Sequence, residues 1–465
     1  ATVFLELWKR KRAAVVSEWD LYTWDQDEEE LSLQLIKDPQ HSPQLYEHSY
    51  VRSTAVLLLA LLMVVVLIGI THALVIYRVV ATAVLTQSGV ELLSRHANLA
   101  AVVTGAVLHY LTILIMSRVN KRAALFLCDL EKPRTPNLRE NNFTVKFFIF
   151  QFLTHFSSLI YVAFFLGRRQ GTAPLSSPAP SQCHPSGCIT DLFIQMAIIM
   201  SLKQTISSIM EYLIPWVKHK KRERRQRLQE RGLLAEEPED PCKEHWLSNY
   251  ELNKVNKFSL FKEFLEMVIQ YSFTTIFVAA FPLAPLLAFL NNVVETHLDA
   301  FKMARLQQRM VPRKAKDIGI WLQILEAIGI LAVIGNGLVI AITSDFIPMQ
   351  VYKYAYSPCR LLNSTGLDCL TGYVNHSLSV FHTRDFELHT KLLDMGNITE
   401  CRGWGSRRSP PSGPDRLPTV AGSLCAPQHV ALCVKLVAAW YIPDIPQFVK
   451  NRVLRSKHRR LQEKL

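Results

Sequence analysis

Five stretches of the chain stay apolar for about 20 residues or more, the length an α-helix needs to cross the ~30 Å hydrocarbon core of a bilayer. They are residues 54–77 (TAVLLLALLMVVVLIGITHALVIY), 97–117, 146–166, 191–217 and 318–343. A further apolar block, FLEMVIQYSFTTIFVAAFPLAPLLAFLNNVVETHLDAF, is long enough to cross twice, with Pro282 and Pro285 at its middle. Proline removes a helical hydrogen bond and clashes with the preceding turn. The block therefore predicts a hairpin over 263–302, one arm up to about Pro282 and the other back from about Pro285. A last run, HVALCVKLVAAWYIP, predicts a shortened final span within 429–446. Open strand edges leave backbone groups unsatisfied in lipid. The pattern thus predicts an all-α polytopic membrane protein and not a soluble fold.

Charge adds the topology. The 465 residues carry a net charge of +13, and 49% of them are hydrophobic. Basic residues crowd into 118–145, 218–231 (KHKKRERRQRLQER), 305–316 and the tail 447–465. By the positive-inside rule these segments, with the WKRKR-containing segment 1–50, are cytoplasmic. The same bias reads as topology and not as nucleic-acid binding; for 218–231 a role in binding anionic head groups is the lesser alternative. Segments 81–96 and 167–190 are poor in Lys and Arg and are expected outside. Since 218–262 and 305–316 lie on one side, the block between them crosses an even number of times, as a hairpin does. The chain opens ATVFLELWKRKR, without Met or a leader, and reads as part of a longer polypeptide.

Sequons agree with this arrangement. Asn363, Asn375 and Asn397 each begin an N-x-S/T acceptor within 345–428, which is expected to be an extracellular glycosylated loop. Of nine cysteines, Cys183, Cys188, Cys359, Cys369 and Cys401 fall in the two outward loops, where disulfides are expected; their connectivity is open. Cys128 and Cys242 lie in basic loops and are expected as thiols.

Candidate chemistry lies in the acids. Glu263 and Glu266 are three apart, Glu295 and Asp299 are four apart, and Glu211 ends the apolar part of 191–217. Spacings of three and four put each pair on one helix face. Charge at membrane depth is costly and marks a functional hypothesis. The hairpin topology brings all five acids to a similar depth near the cytoplasmic side. Five carboxylates converging there predict a site for a hard cation such as Ca²⁺, which takes six to eight oxygens. The plainer alternative is that some of them lie at the head-group boundary or pair with Lys262 and Lys302. No P-loop, zinc-protease motif or nucleophile elbow occurs, so no catalytic residue and no enzyme activity is expected.

The segments FLELWKRKRAAVVSEWDL, VNKFSLFKEFLEMVIQYSFTTIFVAAFPLAPLLAFLNNVVETHLDAFKM, VPRKAKDIGIWLQILEAIG, YVNHSLSVFHTRDF and AAWYIPDIPQFV resemble the anoctamin family of calcium-activated chloride channels and lipid scramblases. Within that family the chain is most like the anoctamin-seven branch. The resemblance implies a homodimer of ten-helix protomers, of which this chain would hold about eight helices, from the third onward. It also implies a two-calcium site at Glu211 of the sixth family helix, Glu263 and Glu266 of the seventh, and Glu295 and Asp299 of the eighth. Where relatives carry an Asn one turn before Glu211, this chain has Ser207 and Ser208, weaker neutral ligands that predict lower calcium affinity. Asp444 resembles a second, weaker calcium position; as an alternative it caps a helix. Lys203 matches a basic position on the family's permeation path, and pairing with an acid inside the bundle is the alternative. The insert 402–428, rich in Pro, Gly, Ser and Arg, departs from the family and shortens the last helix, which belongs to the family's dimer interface.

These readings predict a plasma-membrane protein, also compatible with the endoplasmic reticulum, that scrambles phospholipids on Ca²⁺ binding. Polar residues Gln151, Thr154, Ser157 and Ser158 are expected to line a head-group groove along the fourth to sixth family helices. A Ca²⁺-gated chloride channel is the second reading. A non-transporting glycoprotein acting in cell–cell interaction is the third.

Overall fold

The computed structural model describes residues 2–24, 49–86, 97–133, 136–165, 188–230, 250, 252–255, 257–309, 314–344, 346–356, 369–373, 379–382, 400–403 and 430–464, with residues 29, 32, 35 and 36. In chain order the helices are α1 (Thr2–Glu18), α2 (Tyr50–Thr86), α3 (Ala97–Glu131), α4 (Pro136–Phe164), α5 (Cys188–Glu230), α6 (Lys257–Ile276) and α7 (Ala284–Phe301). They continue as α8 (Ile320–Leu338), α9 (Phe346–Ala355), α10 (Val430–Tyr441) and α11 (Gln447–Lys464). Single π turns extend α7 over Lys302–Leu306 and α8 over Val339–Thr343. Strands β1 (Ser379–His382) and β2 (Glu400–Gly403) pair antiparallel, with Phe381 opposite Cys401. Helices α2, α3, α4, α5 and α8 are long and apolar enough to cross a membrane. The chain is an all-α multi-pass membrane protein whose strand pairing is confined to that one short ladder among the described residues.

Several helices run past their apolar cores. Helix α3 continues to Glu131 and α4 starts at Pro136, so most of the expected basic loop 118–145 is helical. The chain turns at Lys132, which takes a left-handed φ of 49°. Proline at the start of α4 is favourable because the first helical N–H groups have no partner anyway. Helix α5 carries Pro215 inside it and runs through the basic segment to Glu230, since Lys, Arg, Glu and Gln are good helix formers. Helix α9 lies within the segment expected to be an outward loop. Cys369 is disulfide-bonded, as the outward-loop reading predicts for that residue. The sequons at Asn363, Asn375 and Asn397, and the insert beyond Gly403, lie outside the described residues.

Helix α4 is the hub. Its apolar window is 61% buried, against 17% for α2. Phe156 stacks on Phe152 at 4.4 Å and packs against Phe273 of α6 at 4.5 Å. Phe143 and Phe147 meet Phe261, which leans on Trp321 of α8 at 5.1 Å. Phe150, Phe156, Phe273, Phe277 and Phe281 are each under 2% exposed. Helix α2 leaves Leu57, Leu58, Leu61 and Leu62 exposed, as a face turned to lipid does.

A polar seam ties α3, α4 and α5 together. Gln151 Nε2 donates to Ser117 Oγ at 2.6 Å, Asn120 Nδ2 to Thr154 Oγ1 at 3.0 Å, and Gln195 Nε2 to Ser158 Oγ at 2.9 Å. A ring nitrogen of His109 lies 2.9 Å from Thr154 O. Ser157 Oγ donates to Leu153 O within α4. Gln151, Thr154 and Ser158, which the sequence expects to line a head-group groove, thus bond across helices. The reason is that a polar side chain in lipid gains by bonding across helices, at about 0.6–2 kcal/mol per pair. His72, by contrast, packs edge-on against Tyr161 at 5.8 Å.

The hairpin breaks earlier than its prolines alone predict. Helix α6 ends at Ile276, six residues before Pro282, and Asn336 of α8 takes over its loose ends. Asn336 Nδ2 donates to Thr275 O at 2.6 Å, and Asn336 Oδ1 accepts from Ala279 N at 3.0 Å. Replacing Asn336 by Leu strands both backbone groups, a loss of about 1–3 kcal/mol. Thermal unfolding of the detergent-solubilised chain should show a melting temperature lowered by several degrees for Asn336→Leu, and an unchanged one for a lipid-facing control such as Leu58→Val.

Candidate functional site

The two hairpin arms place their acids face to face. One oxygen from each of Glu263 (α6), Glu295 and Asp299 (α7) lies within 4.8 Å of the others. Glu295 is 4% exposed and Glu266, one turn along α6 from Glu263, is 8% exposed. Asn291 Nδ2 donates to Glu295 Oε2 at 3.1 Å, one turn back on α7. Glu266 Oε1 is buried with no hydrogen-bond partner among the described residues. Such an atom costs roughly 1–3 kcal/mol, more when charged, and calls for an unseen partner.

A lysine sits inside this cluster. Lys302 Nζ donates to Glu263 Oε1 at 2.9 Å and to Asp299 Oδ1 at 2.6 Å. Its side chain is 3% exposed. The plainer expectation of pairing with Lys302 therefore holds for Glu263 and Asp299. Lys203, partly buried on α5, feels the charges of Glu266 and Glu295, so acids inside the bundle face it from the hairpin.

Glu211 lies on α5, but its side chain is outside the described residues; of the five expected acids the structure brings together three, Glu263, Glu295 and Asp299. Ser208 lines a cleft between α5 and α7. That cleft is about 480 Å³ and mainly apolar, lined by Met200, Ile209, Leu213, Leu287, Leu290 and Val294, with Thr205 and Asn291 among its few polar groups. Tyr212 of α5, which also lines it, meets Phe301 at the end of α7 with 5.6 Å between ring centroids. Ser207 is half-buried on the same turn of α5.

Asp444 stands elsewhere, in the turn between α10 and α11. Lys9 of α1 centres that second cluster. Its Nζ is 2.6 Å from Glu326 Oε1, 3.3 Å from Glu6 Oε1 and 3.7 Å from Asp444 Oδ1. Burial disfavours the ammonium, but Glu326, Asp444 and Glu6 outweigh that and hold Lys9 above the usual lysine range. Sequence reasoning reads Lys9 only as part of a basic run; nothing local in WKRKR signals that Glu326 and Asp444, far along the chain, join the neighbouring Glu6 around it.

The donor set around the hairpin fits a hard cation. Calcium holds oxygens at 2.3–2.6 Å, so two ligands of one ion lie at most about 5 Å apart. The 4.8 Å spread of the three carboxylates falls inside that limit, and one turn along α6 the buried Glu266 oxygen has no hydrogen-bond partner among the described residues. All of these donors are oxygens, as calcium requires.

Comparison with known proteins agrees in kind. The family model described as "Anoctamin: Calcium-activated chloride channel" matches residues 1–456. The chain is 51% identical over 475 residues to anoctamin-9 of Mus musculus, covering 100% of this chain and 62% of that protein. It is 38% identical to anoctamin-4 of Homo sapiens, covering 98% of this chain and 51% of that protein. It is 32% identical to anoctamin-5 of Homo sapiens, covering 98% and 52%. The chain therefore spans about half to three fifths of the length of the curated relatives it matches. These matches set the likeness at the level of the family and not of the anoctamin-seven branch.

The second cluster gives a direct test of how α1 is held. A cation raised in the folded state contributes stability that is present below its unfolded value, near 10.5, and is lost as pH rises through the folded one. The Lys9 contacts should thus persist from pH 7 to pH 9. Lys9→Met should speed chymotryptic cleavage within α1 by roughly an order of magnitude at either pH, since three carboxylates lose their shared cation. Equal cleavage of the two proteins would show that α1 is held without this lysine.

Proposed function

The chain belongs to the anoctamin family, and on that premise we propose that it acts as a Ca²⁺-activated phospholipid scramblase, passing lipids between leaflets without ATP. The observation that carries the calcium half is the cluster of Glu263, Glu295 and Asp299 with the orphaned Glu266 beside it. Glu211 is proposed as the fifth acid, with Ser207 and Ser208 as weak neutral donors on the same helix and Asp444 at a second, weaker position. Bound Ca²⁺ would supply the positive charge that these mutually repelling carboxylates lack.

The chain's own residues suggest how that site acts on α5. Helix α5 contacts α7 through Tyr212 and Phe301, and its other face joins α4 through Gln195 and Ser158. A change of repulsion among the hairpin acids acts on α7 and so on α5. A shift of α5 widens the cleft at Met200, Ile209 and Val294 and loosens the polar seam. An apolar wall with a few hydroxyl and amide groups suits an acyl chain near its head group, and this is what favours lipid as cargo.

Conduction of chloride is the second reading, favoured by the description of the matching family model and by Lys203 at the cluster's edge. We further infer that the protein is a homodimer in the plasma membrane, also present in the endoplasmic reticulum. Its basic segments would lie in the cytoplasm and residues 345–428 outside, glycosylated at Asn363, Asn375 and Asn397. Helix α10, with Val434, Val437 and Trp440 exposed, suits the dimer contact.

Reconstitution in liposomes with labelled lipids tests these readings together. Ca²⁺ should expose inner-leaflet lipid for the wild type. Glu263→Gln and Glu295→Gln should each raise the half-effective Ca²⁺ concentration by about tenfold or more, or ~1.4 kcal/mol. Chloride efflux without lipid exposure would replace the first reading by the second, and the absence of both would sink the two together.

A further inference from the structure

We propose that Lys302 is a tethered counter-ion: its ammonium holds the carboxylate cluster together in the calcium-free protein and leaves it when the divalent ion binds. This inference rests on the calcium reading of the same site and adds the device that sets its affinity.

The placement of Lys302 carries the argument. It is the first residue of the π turn that ends α7, and its own carbonyl accepts from Gln307 N at 3.1 Å. Such turns inside or at the end of α-helices gather at functional positions. The residue is 2% exposed, among the most buried charges of the described chain. Its ammonium bridges the two hairpin arms, from Glu263 on α6 to Asp299 on α7, at 2.9 and 2.6 Å. Those are two of the three groups whose oxygens fall within 4.8 Å of one another.

A lysine nitrogen at 2.6–2.9 Å and a calcium ion at about 2.4 Å would compete for the same small volume between the same oxygens. Both are cations, and at such separations in a partly buried site their repulsion is large. They exclude one another. The ammonium has a flexible stem, so it can withdraw while the carboxylates stay in place. An ordinary structural ion pair would occupy no ligand volume. The two roles differ in sign: losing a structural lysine loosens the site and weakens calcium binding, whereas losing a competitor strengthens it.

The test is thermal unfolding of the purified chain in lipid nanodiscs against free Ca²⁺, for the wild type, Lys302→Met, Lys302→Arg and Glu295→Gln. Lys302→Met should lower the Ca²⁺ concentration at half-maximal stabilisation by about tenfold, and should melt earlier than wild type without Ca²⁺. Lys302→Arg, which keeps the charge, should stay within about threefold of wild type. A Lys302→Met midpoint that is unchanged or raised, with Glu295→Gln still weakening the response, overturns this proposal and leaves the calcium site standing. A wild type whose melting ignores Ca²⁺, or a Glu295→Gln midpoint equal to that of the wild type, overturns the calcium reading and this proposal with it. Should Lys302→Met fail to fold, amine acylation of the wild type read by mass spectrometry decides. Ca²⁺ should raise labelling at Lys302 by about threefold or more relative to the exposed Lys262, and labelling that stays level or falls refutes displacement.

Discussion

Like charges buried side by side set the terms for this molecule. Glu263, Glu266, Glu295 and Asp299 lie on two facing helices, two of them under 9% exposed, and carboxylates in such a setting repel one another and lose hydration. An uncompensated arrangement of that kind would not persist. Lysines stand among these acids: Lys302 bridges the two arms, and Lys203 of α5 feels the charges of Glu266 and Glu295. The same two cations mark which helices feel the state of the cluster. One is at the end of α7, and the other is in the middle of the helix that α7 packs against.

The rest of the bundle follows a different rule, because lipid gives apolar helices little reason to meet. Leucine gains nothing by leaving acyl chains for another leucine, so close fit and polar pairs decide which faces touch. Helix α4 offers both, with phenylalanines interleaved with those of α6 on one side and Gln151, Thr154 and Ser158 bonded to α3 and α5 on the other. Gly335 makes the α6–α8 approach possible: a Cβ there would meet Ile276 Cγ2 at 3.0 Å and the Ile276 carbonyl at 3.3 Å. Asn336, the next residue, then reaches the broken end of α6. One close approach thus positions the residue that ends the first hairpin arm, and the site depends on where that arm ends.

Much of this was legible from order and spacing alone. Apolar length gave the five long spans, two prolines gave the hairpin, and intervals of three and four gave the shared faces of the acids. An antiparallel hairpin with acids at its two open ends must bring them to one level, so the convergence of Glu263 with Asp299 followed from topology before any coordinate. What was not legible depends on contacts that periodicity does not encode. Lys302 could be read as a partner for some of the acids, but not as a residue that a π turn buries between the two arms. Lys9 belongs to a run of five basic and aromatic residues, and only the packed chain joins it to Glu326 and Asp444. The serines and threonine of α4 read equally well as groove lining or as helix-to-helix bonds, because a polar residue on a membrane helix predicts a partner without naming it. Charge clusters also look like loops in sequence, yet Lys and Arg favour helix, and so α3 and α5 extend well past their apolar cores.

The anchoring of α5 is unequal along its length. At its N-terminal end Asp191, 1% exposed, takes an ion pair from Arg78 of α2 at 2.5 Å. One turn on, Gln195 bonds to Ser158, and Leu192, Met196 and Ile199 are fully buried. Beyond Met200 the helix loses that support: Ile209, Met210, Leu213 and Ile214 are exposed, and the cleft separates it from α7. Its nearest steady contact there is the pair of rings at Tyr212 and Phe301, next to Lys302. Pro215 removes one helical hydrogen bond just past that contact and softens the helix where it leaves the bundle. Helix α5 is thus held by a buried ion pair and a polar bond at one end, and at the other by the ring contact of Tyr212 with Phe301. The polar seam lies near the clamp and the apolar cleft lies along the free half.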